Sequence, residues 1–245
     1  EEYLTGPECS LLVLTDGRTV LPLLPAQDHK RAYEDDQGPN TGGMGVYSPV
    51  PIITAAEHEE MLSIMRRAVA ALAEEEIDYR GVLYGGFILT ARGPKVLEFN
   101  ARFGDPEAQV VLPLLGSDLA EAMMATAECR LAEVDLSWRD GWAVSVVLAS
   151  GGYPGDYDVD MPILGIREAE EVPGVTVFHA GTRLTREGVL VTDGGRVLNV
   201  TALGSDFDSA RRRAYEGVAR ISFEGMFYRS DIGARAQRGR SAWQV

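Results

Sequence analysis

Apolar runs and their breaks divide this chain into a strand-rich start, a helical middle and a strand-rich end. Cys9 to Thr15 (CSLLVLT) is apolar and β-prone, Asp16-Gly17 signals a hairpin, and Arg18 to Leu24 is its return strand. Pro25 to Pro51 follows neither period; its Gly, Asn and Pro content predicts a long loop with defined turns. Thr54 opens a helix, with Glu57 completing a capping box. Met61, Ile64, Met65, Ala68, Val69 and Leu72 repeat at helical spacing and form its core stripe, with His58 solvated in the first turn. Gly81 to Thr90 and Lys95 to Ala101 predict a second hairpin, turned at Arg92-Gly93-Pro94. Helices follow over Pro106 to Leu115 and Asp118 to Cys129, the second with Asp118 and Glu121 as a capping box. Beyond a joint at Trp138 to Trp142, strands are expected over Ala143 to Ala149, Val175 to Phe178, Val189 to Thr192 and Arg196 to Ala202. A helix over about Asp206 to Ile221 closes the chain. The expected division is residues 1–137, residues 138–232 and a basic, disordered tail at 233–245.

The chemistry concentrates where these elements end. On VLEFNARFGDPE, Val96 to Glu107, side chains of a strand alternate faces, so Glu98, Asn100 and Arg102 are expected to point the same way. A carboxylate beside an amide oxygen suits a hard cation such as Mg2+, and an adjacent Arg can fork onto a carboxylate or phosphate. Asp105 and Glu107 add charge to the same turn. QDHKR, residues 27–31, offers Lys30 and Arg31 to a phosphate and Asp28 or His29 to an amine; a solvated loop is the competing reading. PNTGGMG, residues 39–45, is Gly-rich enough for backbone N–H groups to approach an anion, but it is neither a Walker A loop nor a GxGxxG fingerprint. SGGYPGDY, residues 150–157, reads as a tight connection, and His179 as a satisfied structural residue.

Bulk properties narrow the classes. A formal net charge of −14 opposes nucleic-acid binding, which wants a basic face, but leaves a metal-assisted nucleotide pocket possible under screening. Arg235, Arg238 and Arg240 make the tail the one basic stretch. No apolar run reaches the roughly 20 residues of a membrane span. Two distant cysteines, Cys9 and Cys129, suit a reducing cytoplasm, and three scattered histidines oppose a zinc site. No nucleophile motif supports covalent catalysis. The chain opens Glu1-Glu2-Tyr3-Leu4 without Met, so a fragment starting inside a domain is expected.

In order, QDHKR, GPNTGGMGVYSPVP, LYGGFILT, GPKVLEFNARFGDPEAQ, ASGGYPGDY, FHAGT and DGGRVLNVTALG closely resemble the C-terminal part of the phosphoribosylamine–glycine ligase family, from Glu1 to about Gly233. The resemblance implies an α/β (α+β) fold: the C-terminal lobe of an ATP-grasp domain, then a small β-rich domain. It implies ATP and Mg2+ (or Mn2+) as cofactors, and glycine and 5-phosphoribosylamine as substrates joined through glycyl phosphate in purine biosynthesis. It maps the metal ligands to Glu98 and Asn100, catalysis to Arg102, Lys30 and Asp28, and substrate binding to Arg31, Asn40, Gly42, Gly43 and Asp105. Backbone groups at Glu2 and Leu4 match the adenine hinge, and Glu8 the ribose contact. Tyr84 to Phe87 carries no carboxylate, which leaves fewer ligands for a second ion. The family's N-terminal regions precede the hinge and are missing here, so the chain alone is expected to be inactive, with those regions as its partner. Alternatives are another ATP-grasp ligase, using formate or carbon dioxide, and a non-catalytic assembly module. No oligomeric state follows from the sequence.

Overall fold

The computed structural model describes residues 2–234 and residue 236. The three tail arginines lie outside the described residues. In chain order the strands are β1 (Glu8–Thr15), β2 (Val20–Pro22), β3 (Gln27–Asp28), β4 (Arg31–Tyr33), β5 (Gln37–Asn40), β6 (Gly45–Ser48), β7 (Gly81–Thr90), β8 (Gly93–Asn100), β9 (Trp142–Ala149), β10 (Val175–His179), β11 (Thr182–Leu184), β12 (Leu190–Thr192) and β13 (Arg196–Gly204). The helices are α1 (Ala55–Glu74), α2 (Ala108–Val111), α3 (Leu119–Ala127), α4 (Ile166–Glu170) and α5 (Phe207–Val218). They form two compact units, residues 2–27 with 48–139 and residues 28–47 with 140–234.

The first unit is built on an antiparallel sheet in the order β2-β1-β7-β8. Leu11 to Leu14 are all fully buried, so both faces of β1 are covered, as its unbroken apolar run requires. Asp16 makes the β1–β2 turn: its Oδ1 accepts the N–H groups of Arg18 and Thr19, and its Oδ2 accepts that of Leu131. Helix α1 starts at the expected capping box of Thr54 and Glu57. Its stripe buries Met61, Met65 and Val69, each burial contributing about 1.5–3 kcal/mol. Gly85 on β7 lets the helix come close, because a Cβ there would lie 2.6 Å from the Met65 sulfur. The helix expected over 106–115 is shorter: α2 gives way to a 3-10 turn at Leu112–Leu114, where Pro113 lacks the N–H an α-turn needs. Asp118 caps α3 alone, accepting from the N–H groups of Ala120 and Glu121.

The second unit is built on a five-stranded sheet in the order β10-β13-β9-β6-β3. Helix α5, capped reciprocally by Asp206 and Ser209, lies against it through small residues; a Cβ on Gly217 would sit 2.9 Å from Val200 Cγ1. Inside the sheet the Thr201 hydroxyl donates to Ser145 Oγ at 2.8 Å across β13 and β9. Two strands of this sheet come from residues 25–51, which the sequence presents as loop. Strand β6 is four buried residues after a Gly-rich turn, too short to show a period, and its neighbour β9 lies about 100 residues away in sequence. Residues 28–47 thus belong with the second unit and not with the first, where a linear division places them. Strand β11 and the five-residue α4 are also absent from the sequence pattern, for the same reason of length.

Candidate functional site

In the first unit the candidates gather at the end of the β7–β8 hairpin. Glu98 pairs with Gly86, and Asn100 with Tyr84. A Cβ on Gly86 would lie 3.2 Å from Glu98 Cγ, so the glycine leaves room beside the carboxylate. Glu98 is exposed and Asn100 half-buried. The register shifts between Gly86 and Phe87, leaving Leu97 as an extra residue on β8. Beside this strand end Phe99, with Ala68, Leu72, Tyr79, Leu83 and Asn100, lines a largely apolar hollow of about 390 Å³.

Arg102 corrects one expectation. Strand β8 ends at Asn100, so alternation does not extend to Arg102; it sits in the following bend with Nη1 donating to the Phe103 carbonyl at 2.8 Å. Asp105 Oδ1 accepts from Gln109 Nε2 at 3.2 Å. Below the bend Glu107 is 3% exposed. Its Oε1 accepts hydrogen bonds from Tyr84 Oη at 2.9 Å and Ser10 Oγ at 3.0 Å, and those two hydroxyls lie 2.7 Å apart. This buried carboxylate fastens the turn carrying Arg102 and Asp105 to β1 and β7, and satisfied burial of that kind is costly to disturb. Toward the chain start, Glu8 pairs with Ile88, and the Glu2 carboxylate is ion-paired with Arg92. Leu4 is half-buried in a stretch without regular structure. Gly6 is required beside it: at φ 150° a Cβ would lie 2.2 Å from the Leu89 carbonyl.

In the second unit the candidates share one segment, Asp28 to Gly45. His29 is buried and flanked by the half-buried Asp28 and Lys30, so the two share a face of an extended stretch. His29 is no amine ligand. Its Nε2 accepts the Gly233 N–H at 3.0 Å, and its backbone pairs with Met44 and Gly45. Burial, then the neighbouring Arg229 charge, lower its pKa from 6.5 to about 4, so the ring is a neutral acceptor at physiological pH. Lys30 O accepts both the N–H and the hydroxyl of Thr41, and Arg31 Nη1 donates to Gly38 O at 2.8 Å. Asn40 ends β5, which pairs with β4, and Gly42 and Gly43 follow.

The residue that orders this segment is Arg229, whose side chain is 2% exposed. It grips Asp231 at 2.8 and 2.7 Å, Asp36 at 2.9 Å and the Arg31 carbonyl at 3.0 Å. Asp231 in turn accepts the Asp35 N–H at 2.9 Å. Burial alone would raise the Asp231 pKa; the hydrogen bonds from Arg229 and Asp35 overcome it and hold the carboxyl below its ordinary value. Asp35 and Asp36 sit at φ 55° and 53°, left-handed positions that non-glycine residues adopt at a cost.

Residues 1–108 match the family described as phosphoribosylglycinamide synthetase, ATP-grasp (A) domain, and residues 143–235 match its C domain. A phosphoribosylamine–glycine ligase of Nostoc is 54% identical over 242 residues, 96% of this chain and 56% of the relative. The chain belongs to the phosphoribosylamine–glycine ligase family. It spans about half the length of such relatives, and 23% of the human trifunctional purine biosynthetic protein adenosine-3, at 50% identity. The solved phosphoribosylamine–glycine ligase of Thermotoga maritima superposes with a TM-score of 0.79 at 36% identity, covering 95% of this chain and 57% of that one. The biotin carboxylase domain of Hydrogenobacter thermophilus 2-oxoglutarate carboxylase, solved with MgADP and bicarbonate, shares the fold at a TM-score of 0.62 and 18% identity, covering 93% of this chain and 48% of that one. Membership in this phosphoribosylamine–glycine ligase family fixes an ATP-grasp lobe and a C domain. Among the described residues no helix is long and apolar enough to cross a membrane.

Several residues that shape the two clusters escaped the sequence reading. Ser10 and Tyr84 lie on apolar strands and gain meaning only through Glu107. Arg229 and Asp231 are common surface types in an unpatterned stretch, and their partner Asp36 is nearly 200 positions away.

Proposed function

We propose that the protein carrying this chain ligates glycine to 5-phosphoribosylamine at the expense of ATP. The glycine carboxylate takes the γ-phosphoryl group, giving glycyl phosphate and ADP. The amine nitrogen then bonds to the acyl carbon, loses a proton, and displaces phosphate; the product is glycinamide ribonucleotide, a purine precursor. The observation that carries the reading is the pair of oxygen donors on β8, Glu98 and Asn100, with the Glu98 stem packed against Gly86.

That donor set fits a hard divalent cation. Among the described residues no group of three His, Cys, Asp or Glu side chains could hold one alone, so a cation there would also draw on oxygens from outside the chain. Glu98 and Asn100 would hold Mg2+ or Mn2+, which when bound supplies charge neutralisation across the ATP phosphates. The chain's own groups do the rest. Backbone at Glu2 and Leu4 meets adenine, and Glu8 the ribose hydroxyls. The Arg102 guanidinium compensates negative charge on the transferring group, and Asp105 holds the glycine ammonium. In the second unit Asp28 orients the attacking amine, while Lys30 and Arg31, with the Asn40–Gly43 backbone, receive the substrate phosphate. Such chemistry needs positioning and charge and no protein nucleophile. Cys9 and Cys129, which are not joined in a disulfide, suit the cytoplasm.

Glycine-dependent ADP release with 5-phosphoribosylamine, measured on the whole protein, tests the proposal. Turnover that ignores glycine, or prefers formate or bicarbonate, sinks it.

A further inference from the structure

Two Gly-rich motifs, at 150–157 and 193–196, have no role in the ligation described above, and both converge on one residue of the substrate loop. The Gly42 N–H donates to the Tyr153 hydroxyl at 3.0 Å. The Gly42 carbonyl accepts from Arg196 Nη1 at 2.8 Å. Both polar groups of a single exposed residue are therefore taken by side chains 111 and 154 positions away. We propose that Tyr153 and Arg196 are positioning residues that hold the backbone at Gly42 so that the Asn40–Gly45 loop meets the phosphorylated amine; the proposal rests on the ligase reading.

The surroundings show a built clamp. A Cβ on Gly42 would lie 2.9 Å from Arg196 Cζ, so glycine is needed for the guanidinium to come close. Tyr153 is set against the chain at Gly195, where a Cβ would fall 2.2 Å from its Cδ2, and it stands edge-on to Tyr157 at 6.3 Å. Ser150 ties the motifs together: its N–H donates to Gly195 O and its hydroxyl to Gly194 O, each at 2.8 Å. On the loop side the Gly43 N–H donates to Thr41 Oγ1 at 3.0 Å, and Thr41 donates to Lys30 O at 2.8 Å. The clamp thus reaches the backbone of Lys30 through two hydrogen bonds. Gly42 itself is exposed, so holding it adds little to the core, and its worth lies in preorganising the loop.

The test is Tyr153→Phe, which removes one hydroxyl and keeps the ring. In this chain, amide exchange at Gly42 accelerates about tenfold or more with an unchanged unfolding midpoint. In the whole protein, KM for phosphoribosylamine rises about tenfold while KM for ATP and for glycine stay within about twofold, as loss of one loop hydrogen bond implies. Arg196→Met behaves the same way, and Arg196→Lys, which keeps a donor, recovers part of the loss. Unchanged exchange at Gly42 overturns the clamp. Faster exchange with an equal rise in all three KM values, or with a fall in kcat alone, overturns its link to the amine. A wild-type protein without glycine-dependent turnover instead sinks the ligase reading, and a phosphate titration followed at the Gly42 amide then decides the clamp: no response overturns it.

Discussion

The end of β8 and the Asp28–Gly45 segment carry comparable numbers of candidate groups but hold them in opposite ways. Glu98 stands exposed on a hairpin ordered by its own β7–β8 ladder, with its stem packed against Gly86. The second segment has little ladder of its own; the buried Arg229, the Gly233 N–H on the His29 ring, and Tyr153 and Arg196 on Gly42 fix it from outside. Under the proposed ligation, the contrast follows from what each would bind. A hydrated cation with exchangeable phosphate ligands needs donors that stay reachable, and a strand end supplies them cheaply. A flexible phosphosugar amine is recognised only if the loop is ordered in advance, because ordering on binding would subtract from affinity.

Substitutions can break that contrast. The largest effect is expected from Arg229→Met, which strands the Asp36 and Asp231 carboxylates: a loss of about 3–5 kcal/mol in chemical denaturation. A loss under about 1 kcal/mol would mean the segment orders itself. Next, Glu98→Ala should lower turnover of the whole protein by about 100-fold or more, through loss of a charge-stabilising contact, and leave stability within about 0.5 kcal/mol. A comparable stability loss would make Glu98 structural. Acid gives a third, smaller signal. His29 is held neutral when folded, with a pKa of about 4 against 6.5 when unfolded, so below 6.5 the unfolded chain binds more protons. Stability is full above pH 6.5 and falls toward pH 4. That ramp in thermal midpoints should flatten in His29→Gln; a ramp that persists unchanged assigns it elsewhere. The smallest effect belongs to Tyr84→Phe, which takes one hydrogen bond from Glu107 and costs about 1–1.5 kcal/mol, read by denaturation. A neutral result would show that Ser10 alone satisfies the carboxylate.

The hairpins, α1 with its cap and stripe, and the Glu98–Asn100 pair were legible because their signals are local: alternation, helical period and turn residues within a few positions. The motif order was legible as a family resemblance. What stayed hidden depends on distance in sequence. Strand β6 shows no period in four residues and exists as a strand because β9 receives it. Arg102 was placed one step too far along a strand that stops at Asn100. His29 looked like an amine ligand until the Gly233 N–H occupied its ring nitrogen, and Arg229 had no signal at all before Asp36 was brought to it.

The chain passes from the first unit into the second at residue 28, returns at 48, and leaves again at 140. A single scission near residue 139 therefore does not yield two self-sufficient pieces. The downstream piece keeps β10, β13 and β9 but loses β6 and β3, so the β9 rim that meets Met44 O at Val147 N is left raw. Unpaired rims of that kind recruit other chains. Dissection of this protein has to follow its threading, and an insoluble C-terminal half is the expected outcome of cutting by sequence order alone.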